Sequence, residues 1–246
     1  MMQGLYTSAS SLGAQQKSID TIANNIANVN TTGFKSTRVD FKEALYTQMF
    51  NTATGDKLEK GVGVLLAATN HNFNQASIKL TEQPLDFAID SDGFFAVRAS
   101  NGEIRYTRDG SFAVSPEQDG NYLVDSMGNY VLDSEYGKIK IEDAKTLAVA
   151  SDGTIQESSQ KIGVFGFPNN DGLQAVGGNG FIETVASGKA ESITNTNIKQ
   201  SYLEQSNVDL AEEMVRLIKA QRTYQLSSRA ITMIDQMEGV ANNLRA

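Results

Sequence analysis

The sequence predicts an α+β fold in which long N- and C-terminal helices form a coiled-coil-like pair and carry a central, antiparallel β-rich domain. Three observations lead there. Each end of the chain has a seven-residue apolar repeat, the middle switches to short apolar runs punctuated by Asp-Gly and Asn-Gly, and a hydrophobic fraction of 40% over 246 residues suffices for a sizeable core.

At the first end Leu5, Leu12, Ile19 and Ile26 recur every seven residues, with Ala9, Ile22, Ala23 and Val29 filling neighbouring positions. That is the spacing of a seam between helices. Asn24, Asn25, Asn28 and Asn30 then crowd into two turns. Asn is a poor helix former and its amide is costly to bury unpaired, so the stretch needs partners or a helix end. Thr31-Thr32-Gly33 supplies a stop, because Gly takes the left-handed conformation readily. Four amides exceed what capping requires, which marks 23–35 as an assembly element rather than an ordinary terminus. Val39, Phe41, Ala44, Leu45 and Met49, set between charged residues in 35–50, predict a short amphipathic helix.

The polar, Gly-punctuated stretch NTATGDKLEKG is expected to be a loop. After it come Gly63 to Ala68, Leu85 to Ile89, Phe94 to Arg98, Ile104 to Thr107, Ser111 to Val114, Tyr122 to Val124 and Tyr130 to Leu132. The joints between them include Asp92-Gly93, Asn101-Gly102, Asp109-Gly110, Asp119-Gly120 and Gly128-Asn129. This rhythm predicts consecutive antiparallel hairpins, continued by Ile139 to Ile141, Leu147 to Val149, Thr154 to Gln156 and Ile162 to Phe167. A Gly-, Asn- and Ser-rich return follows. Ser206-Asn207-Val208-Asp209 then opens a long helix, with Glu212 and Glu213 placed for its first turn and Glu212 four residues before Arg216. Leu210, Leu217, Tyr224 and Ile231 repeat every seven residues, while Met214, Ile218, Ile234, Met237, Ala241 and Leu244 widen or continue the stripe. The domains expected are a terminal helical assembly region at 1–50 and 200–246, a linker at 51–61, a central β-rich domain at 62–185 and a return linker at 186–199.

Lys and Arg number 21 against 29 Asp and Glu, a formal charge of −8 without a basic cluster, so nucleic acid is not an expected partner. No run approaches the twenty apolar residues of a membrane span, and the first residues lack the basic region, apolar core and cleavage site of a secretory signal. Neither membrane insertion nor signal cleavage is expected. Without cysteine, and with His71 as the sole histidine, disulfides, thiolate chemistry, Cys/His metal sites and histidine triads have no material.

Other chemistry fares little better. Asp90-Ser91-Asp92-Gly93 begins like a calcium loop but continues with Phe94 where an oxygen ligand is required, so a turn is the better reading. Gly61-Val62-Gly63 lacks the rest of a dinucleotide fingerprint. Nothing places Asp86, Asp90, Asp92 or Asp109 as a glycosidase pair. Arg108 is expected to pair with an acid for structural reasons. No cofactor, metal or catalytic residue is predicted.

Two apolar stripes at opposite ends of one chain are most simply satisfied by each other, and then by neighbouring copies. Surfaces that join head to tail without closing produce helical filaments. A monomeric helical hairpin resting on the β domain ranks second, because the Asn-rich helix end and polar Ser/Gln surface are odd for it. A β-domain enzyme or adhesin with helical oligomerisation arms ranks lower.

Ala23 to Lys35 resembles the N-terminal signature of bacterial flagellar rod and hook proteins, and Leu203-Glu204-Gln205-Ser206-Asn207-Val208-Asp209 their C-terminal one. Pro84 to Phe95 and Tyr106 to Phe112 resemble segments of the same family's β domain. The length, and the tail from Glu212-Glu213-Met214 through Gln221-Arg222-Thr223-Tyr224, are more similar to rod members than to the larger hook protein, although 51–60 is shorter than the matching region of many rod members. A proximal rod or hook-type member is the alternative. The resemblance implies a structural, non-enzymatic rod subunit in the basal body, forming a hollow helical shaft that transmits torque to the hook. It implies partners in further copies of itself, neighbouring rod and hook proteins, and the type III export apparatus, with export without a cleaved signal. Leu5, Leu12, Ile19, Ile26, Leu210, Leu217, Tyr224 and Ile231 would form the inner packing of such an assembly. Asn24, Asn25 and Asn28 would fix its register, alongside Val29, Gly33 and Phe34.

Overall fold

The two apolar rhythms of the sequence resolve into two compact units: Met1–Ala27, Thr37–His71 and Val208–Ala246 in one, Asn28–Ser36 and Asn72–Asn207 in the other. The computed structural model describes residues 2–44, 47–50, 57–60, 63–117, 120–142, 147–156, 160–194 and 196–243. Leu45 of the expected short helix, residues 51–56 and 61–62 around the expected linker, and Asp119, Asn195 and Leu244 lie outside them.

The first unit holds α1 (Met2–Ala27), β1 (Thr37–Glu43), β2 (Thr47–Phe50), β3 (Lys57–Lys60), β4 (Val64–His71) and α2 (Leu210–Asn243). Strands β1 and β4 pair antiparallel with a bulge at Asp40/Phe41, and β2 pairs with β3. In place of the short helix expected over 35–50, Thr37–Glu43 and Thr47–Phe50 are therefore strands. Thr37, Val39 and Phe41 alternate with charged side chains, and β4 supplies the ladder partner that local pattern alone does not reveal. Helix α2 starts one residue after Asp209, whose Oδ1 accepts the backbone N–H groups of Ala211 at 2.9 Å and Glu212 at 3.1 Å. Asp209 is thus the N-cap, three residues later than a cap at Ser206 would be. Glu212 and Arg216 pair at 2.6 Å, as their spacing predicts.

The α+β class holds, but the coiled-coil-like pair does not form. The two helices do touch: a Cβ added to Gly4 would lie 3.3 Å from Ile234 Cδ1. A coiled coil, however, requires each stripe to be enclosed by the partner helix. Leu5, Leu12, Ile19 and Ile26 are only half-buried, as are Leu217 and Ile231, and Leu210 and Tyr224 are exposed. Among the described residues, the buried apolar side chains of the helices are Ile22 and Ala220. Helix α1 divides its packing among α2, β1 and β4, and α2 carries exposed apolar side chains on its other faces.

The second unit is the β body. Its strands are β5 (Ile78–Leu80), β6 (Phe87–Ile89), β7 (Phe94–Arg98), β8 (Ile104–Thr107), β9 (Ala113–Glu117), β10 (Gly120–Val124), β11 (Tyr130–Val131), β12 (Lys140–Ile141), β13 (Val164–Gly166), β14 (Gln174–Gly177), β15 (Gly180–Ile182), β16 (Glu191–Ser192), β17 (Ile198–Gln200) and β18 (Tyr202–Glu204). A ten-stranded antiparallel sheet runs β12-β10-β11-β7-β8-β15-β14, with β9 on β10 and β13 bridging β7 and β16. Central β7 shows why its sequence is continuously apolar. Phe95 and Val97 enter one core with Phe87, Leu123 and Ile162, while Phe94 and Ala96 enter a second with Tyr106, Phe165 and Phe181. A strand covered on both faces has no polar side to alternate with.

Strands β7 and β8 make the hairpin that Asn101-Gly102 predicts. Strands β6 and β7 do not pair across Asp92-Gly93; β6 instead takes β17, more than a hundred residues later, as its partner. Likewise β5 pairs with β18. The last strands of the β body thus return to its first.

Candidate assembly site

The signature segments of the two chain ends meet inside the β body. Gly33 N–H donates to the Glu204 carbonyl at 2.9 Å, Asn207 N–H to the Phe34 carbonyl at 3.3 Å, and Ser36 N–H to Asn207 Oδ1 at 2.7 Å. Asn207 Nδ2 also donates to the carbonyl of Asn72 at 2.7 Å. The segment that follows α1 in the chain and the one that precedes α2 are therefore tied in one knot.

At its centre sits a buried ion cluster. Lys35 Nζ lies 2.7 Å from Glu204 Oε1, with both side chains 1% exposed, and Arg108 Nη1 lies 3.2 Å from Glu204 Oε2. Lys35 also donates to the Asn74 carbonyl at 2.8 Å, and Ala76 N–H donates to Glu204 Oε1 at 2.9 Å. The Arg108 guanidinium stands over the Phe94 ring, 5.4 Å from its centroid. Burial pulls the Lys35 ammonium and the Arg108 guanidinium below their ordinary pKa values, while the Glu204 carboxylate pulls both back up. Charges this deep persist only when paired and hydrogen-bonded. The expected acid partner of Arg108 is thus Glu204. Its pairing with Lys35 as well escaped the sequence, although all three residues stand in the segments that carry the family resemblance.

Gly33 has φ +65°, but it does not stop the helix, which ends six residues earlier at Ala27. Its purpose is close approach: a Cβ there would lie 2.4 Å from the backbone nitrogen of Asp109. Thr32 Oγ1 donates to Asp109 Oδ1 at 2.8 Å, and Asn179 Nδ2 to the Thr32 carbonyl at 2.8 Å.

The residues expected to assemble are divided between the units. Asn28, Val29, Gly33 and Phe34 belong to the β body, where Asn28 accepts from Thr31 through both its carbonyl and its Oδ1. The others belong to the helical unit. Asn24 is exposed, whereas Asn25 is 1% exposed and spends its amide within the chain. Its Nδ2 donates to the Thr37 carbonyl and its Oδ1 accepts the Thr37 N–H, each at 2.9 Å. Asn25 pins the end of α1 to the start of β1. Replacing Asn25 with Ala is expected to remove the partner of both part-buried Thr37 backbone groups and destabilise the helical unit by about 2 kcal/mol. Hydrogen exchange of α1 and β1 amides checks this, with the β body unaffected.

Comparison with known proteins agrees with this arrangement. The family described as flagella basal body rod protein matches residues 5–35, the flagellar hook protein FlgE/F/G D1 domain matches 88–157, and the flagellar basal body rod FlgEFG protein C-terminal matches 199–244. The flagellar basal-body rod protein FlgG of Borreliella burgdorferi is 39% identical, covering 100% of this chain and 99% of that protein. FlgG of Caulobacter vibrioides is 35% identical over 100% of both. The flagellar hook-basal body complex protein FlhP of Bacillus subtilis is 33% identical over 100% of both. These relatives are structural parts of the flagellum and not enzymes. With both signature ends and the β body matched, and with full-length identity to FlgG proteins, the chain belongs to the flagellar basal-body rod FlgEFG family.

Proposed function

We propose that the chain is a structural subunit of the bacterial flagellar rod, of the FlgG kind, which polymerises through its terminal helices into a hollow helical shaft carrying torque to the hook. Full-length identity to FlgG proteins of several bacteria is the observation that carries this reading. Membership of the family implies assembly into the basal-body rod with other rod and hook proteins. Contacts with neighbouring rod and hook proteins, export through the flagellar type III apparatus and self-polymerisation are the finer parts of the proposal.

The charge distribution supports it. The helical unit holds ten acidic and ten basic residues, so the whole formal charge of −8 falls on the β body. A neutral unit packs against copies of itself without accumulating repulsion, while a charged one stays solvated. The half-buried stripes of α1 and α2, together with exposed Leu210, Asn24 and Tyr224, are the proposed contact residues in that unit.

Deleting residues 1–30 is expected to abolish polymerisation, seen by electron microscopy, while circular dichroism still reports a folded β body. A truncated protein that forms tubes would sink the proposal. The match to FlhP favours one rival, a hook-type or proximal rod paralogue. Complementation of strains lacking individual rod genes separates the two.

A further inference from the structure

Helix α2 has a second apolar stripe. Val215, Ile218, Leu226, Met233, Met237 and Val240, with Arg222 and Arg229 interleaved, follow one another at steps of three or four residues. They share the helix face opposite Glu213, Leu217, Ala220 and Ile231. All six apolar side chains are 50–64% exposed, along about 38 Å of helix. Neither arginine has an ion-pair partner among the described residues. A stripe of this length and size marks an interaction surface.

Helix α1 offers its complement. Ala9, Gly13, Gln16, Asp20, Ala23 and Ala27 follow at the same three- and four-residue steps and are all exposed. Five of these six side chains are neutral, four of them no larger than a methyl group, and the sixth is the carboxylate of Asp20, which accepts a hydrogen bond from Gln16 Nε2 at 2.8 Å. Large side chains on one helix seat against small ones on another, letting the axes approach to about 8 Å, and the unpaired arginines meet an acid. Because the helical unit is electrically neutral, no net repulsion opposes bringing two copies together.

We infer that the outer face of α2 in one copy docks on the outer face of α1 in a second copy of this chain. The two faces are different surfaces, so the contact is heterologous, the class of contact that builds an open filament when its rotation does not close into a ring. The inference rests on the rod-subunit reading for the identity of the partner and adds a second pair of faces, distinct from the half-buried stripes, through which copies meet.

The test begins with Arg222→Glu combined with Arg229→Glu. Both positions are exposed, so circular dichroism should match the parent. The protein concentration needed for assembly should rise about tenfold, and adding Asp20→Arg should restore it. A reversed variant that assembles like the parent, or no recovery with Asp20→Arg, overturns the inference.

The chain has no cysteine, so disulfide trapping gives an independent readout. Leu226→Cys combined in turn with Ala9→Cys, Gly13→Cys, Ala23→Cys or Ala27→Cys should yield a ladder of linked copies in at least one pairing. Links only between the two thiols introduced by Leu226→Cys in different copies, or no link in any pairing, overturn it. Linked oligomers that never extend into tubes uphold the pairing and sink the rod reading. Tubes without links sink the pairing and leave the rod reading standing.

Discussion

Glu204→Gln is expected to destabilise the β body by about 3–5 kcal/mol, because it leaves two buried cations without their carboxylate. Lys35 and Arg108 contact no other acidic side chain within ion-pair distance among the described residues. Domains of this kind have total stabilities of about 5–15 kcal/mol, so the loss should appear as a large fall in the urea midpoint. Gln keeps the size of Glu and an acceptor for Ala76 N–H, so the loss reports charge more than shape. The pH dependence gives a second check. Burial already holds the Lys35 pKa below its ordinary value of 10.5, and removing Glu204 removes what pulls it up. A base whose folded pKa is lowered binds fewer protons folded than unfolded, so stability rises with pH up to the unfolded value. The deficit of Glu204→Gln should therefore narrow as pH approaches 10.5, where Lys35 can stay neutral in both states. A deficit that is flat with pH would mean that Lys35 does not carry the effect.

Gly33→Ala is expected to cost about 3 kcal/mol or more. Two penalties combine: φ of +65°, which L-residues other than Asn and Asp adopt at some cost, and a Cβ 2.4 Å from Asp109 N and 2.6 Å from Arg108 C. Both atoms are backbone and cannot swing aside. The control is Gly128→Ala. Gly128 also has positive φ, at +82°, but a Cβ there meets nothing within 4 Å, so about 1 kcal/mol is expected. Equal losses at the two sites, measured by thermal unfolding, would show that the close approach of the 33 and 108–109 segments is unimportant. In cells, Gly33→Ala and Glu204→Gln should both reduce motility, since they loosen the knot from which the chain continues into each terminal helix.

The knot explains why these segments stand out. Residues 31–36 and 203–207 meet from opposite ends of the sequence, and in the β body the last strands, β17 and β18, pair with the first, β6 and β5. Asn25 serves the helical unit in a comparable way, with an amide that joins α1 to β1 rather than reaching outward in this state.

What the sequence determined by itself was local. Spacings of three, four and seven residues are enough to specify two terminal helices, because an amphipathic stripe is a property of consecutive residues. Turn dipeptides specified the hairpin between β7 and β8 for the same reason. The continuous apolar run Phe94 to Val97 announced a strand without saying that it separates two cores. Tertiary structure decided everything that joins distant residues. It gave Thr37 to Glu43 a strand partner against its helical pattern, and paired β6 with β17 across Asp92-Gly93. It brought Lys35, Arg108 and Glu204 together, and turned Gly33 from a helix stop into a point of close backbone approach. It also settled which stripe of α2 turns inward. A helix with apolar residues on opposite sides has two candidate faces of similar hydrophobicity, and only the position of α1 selects between them.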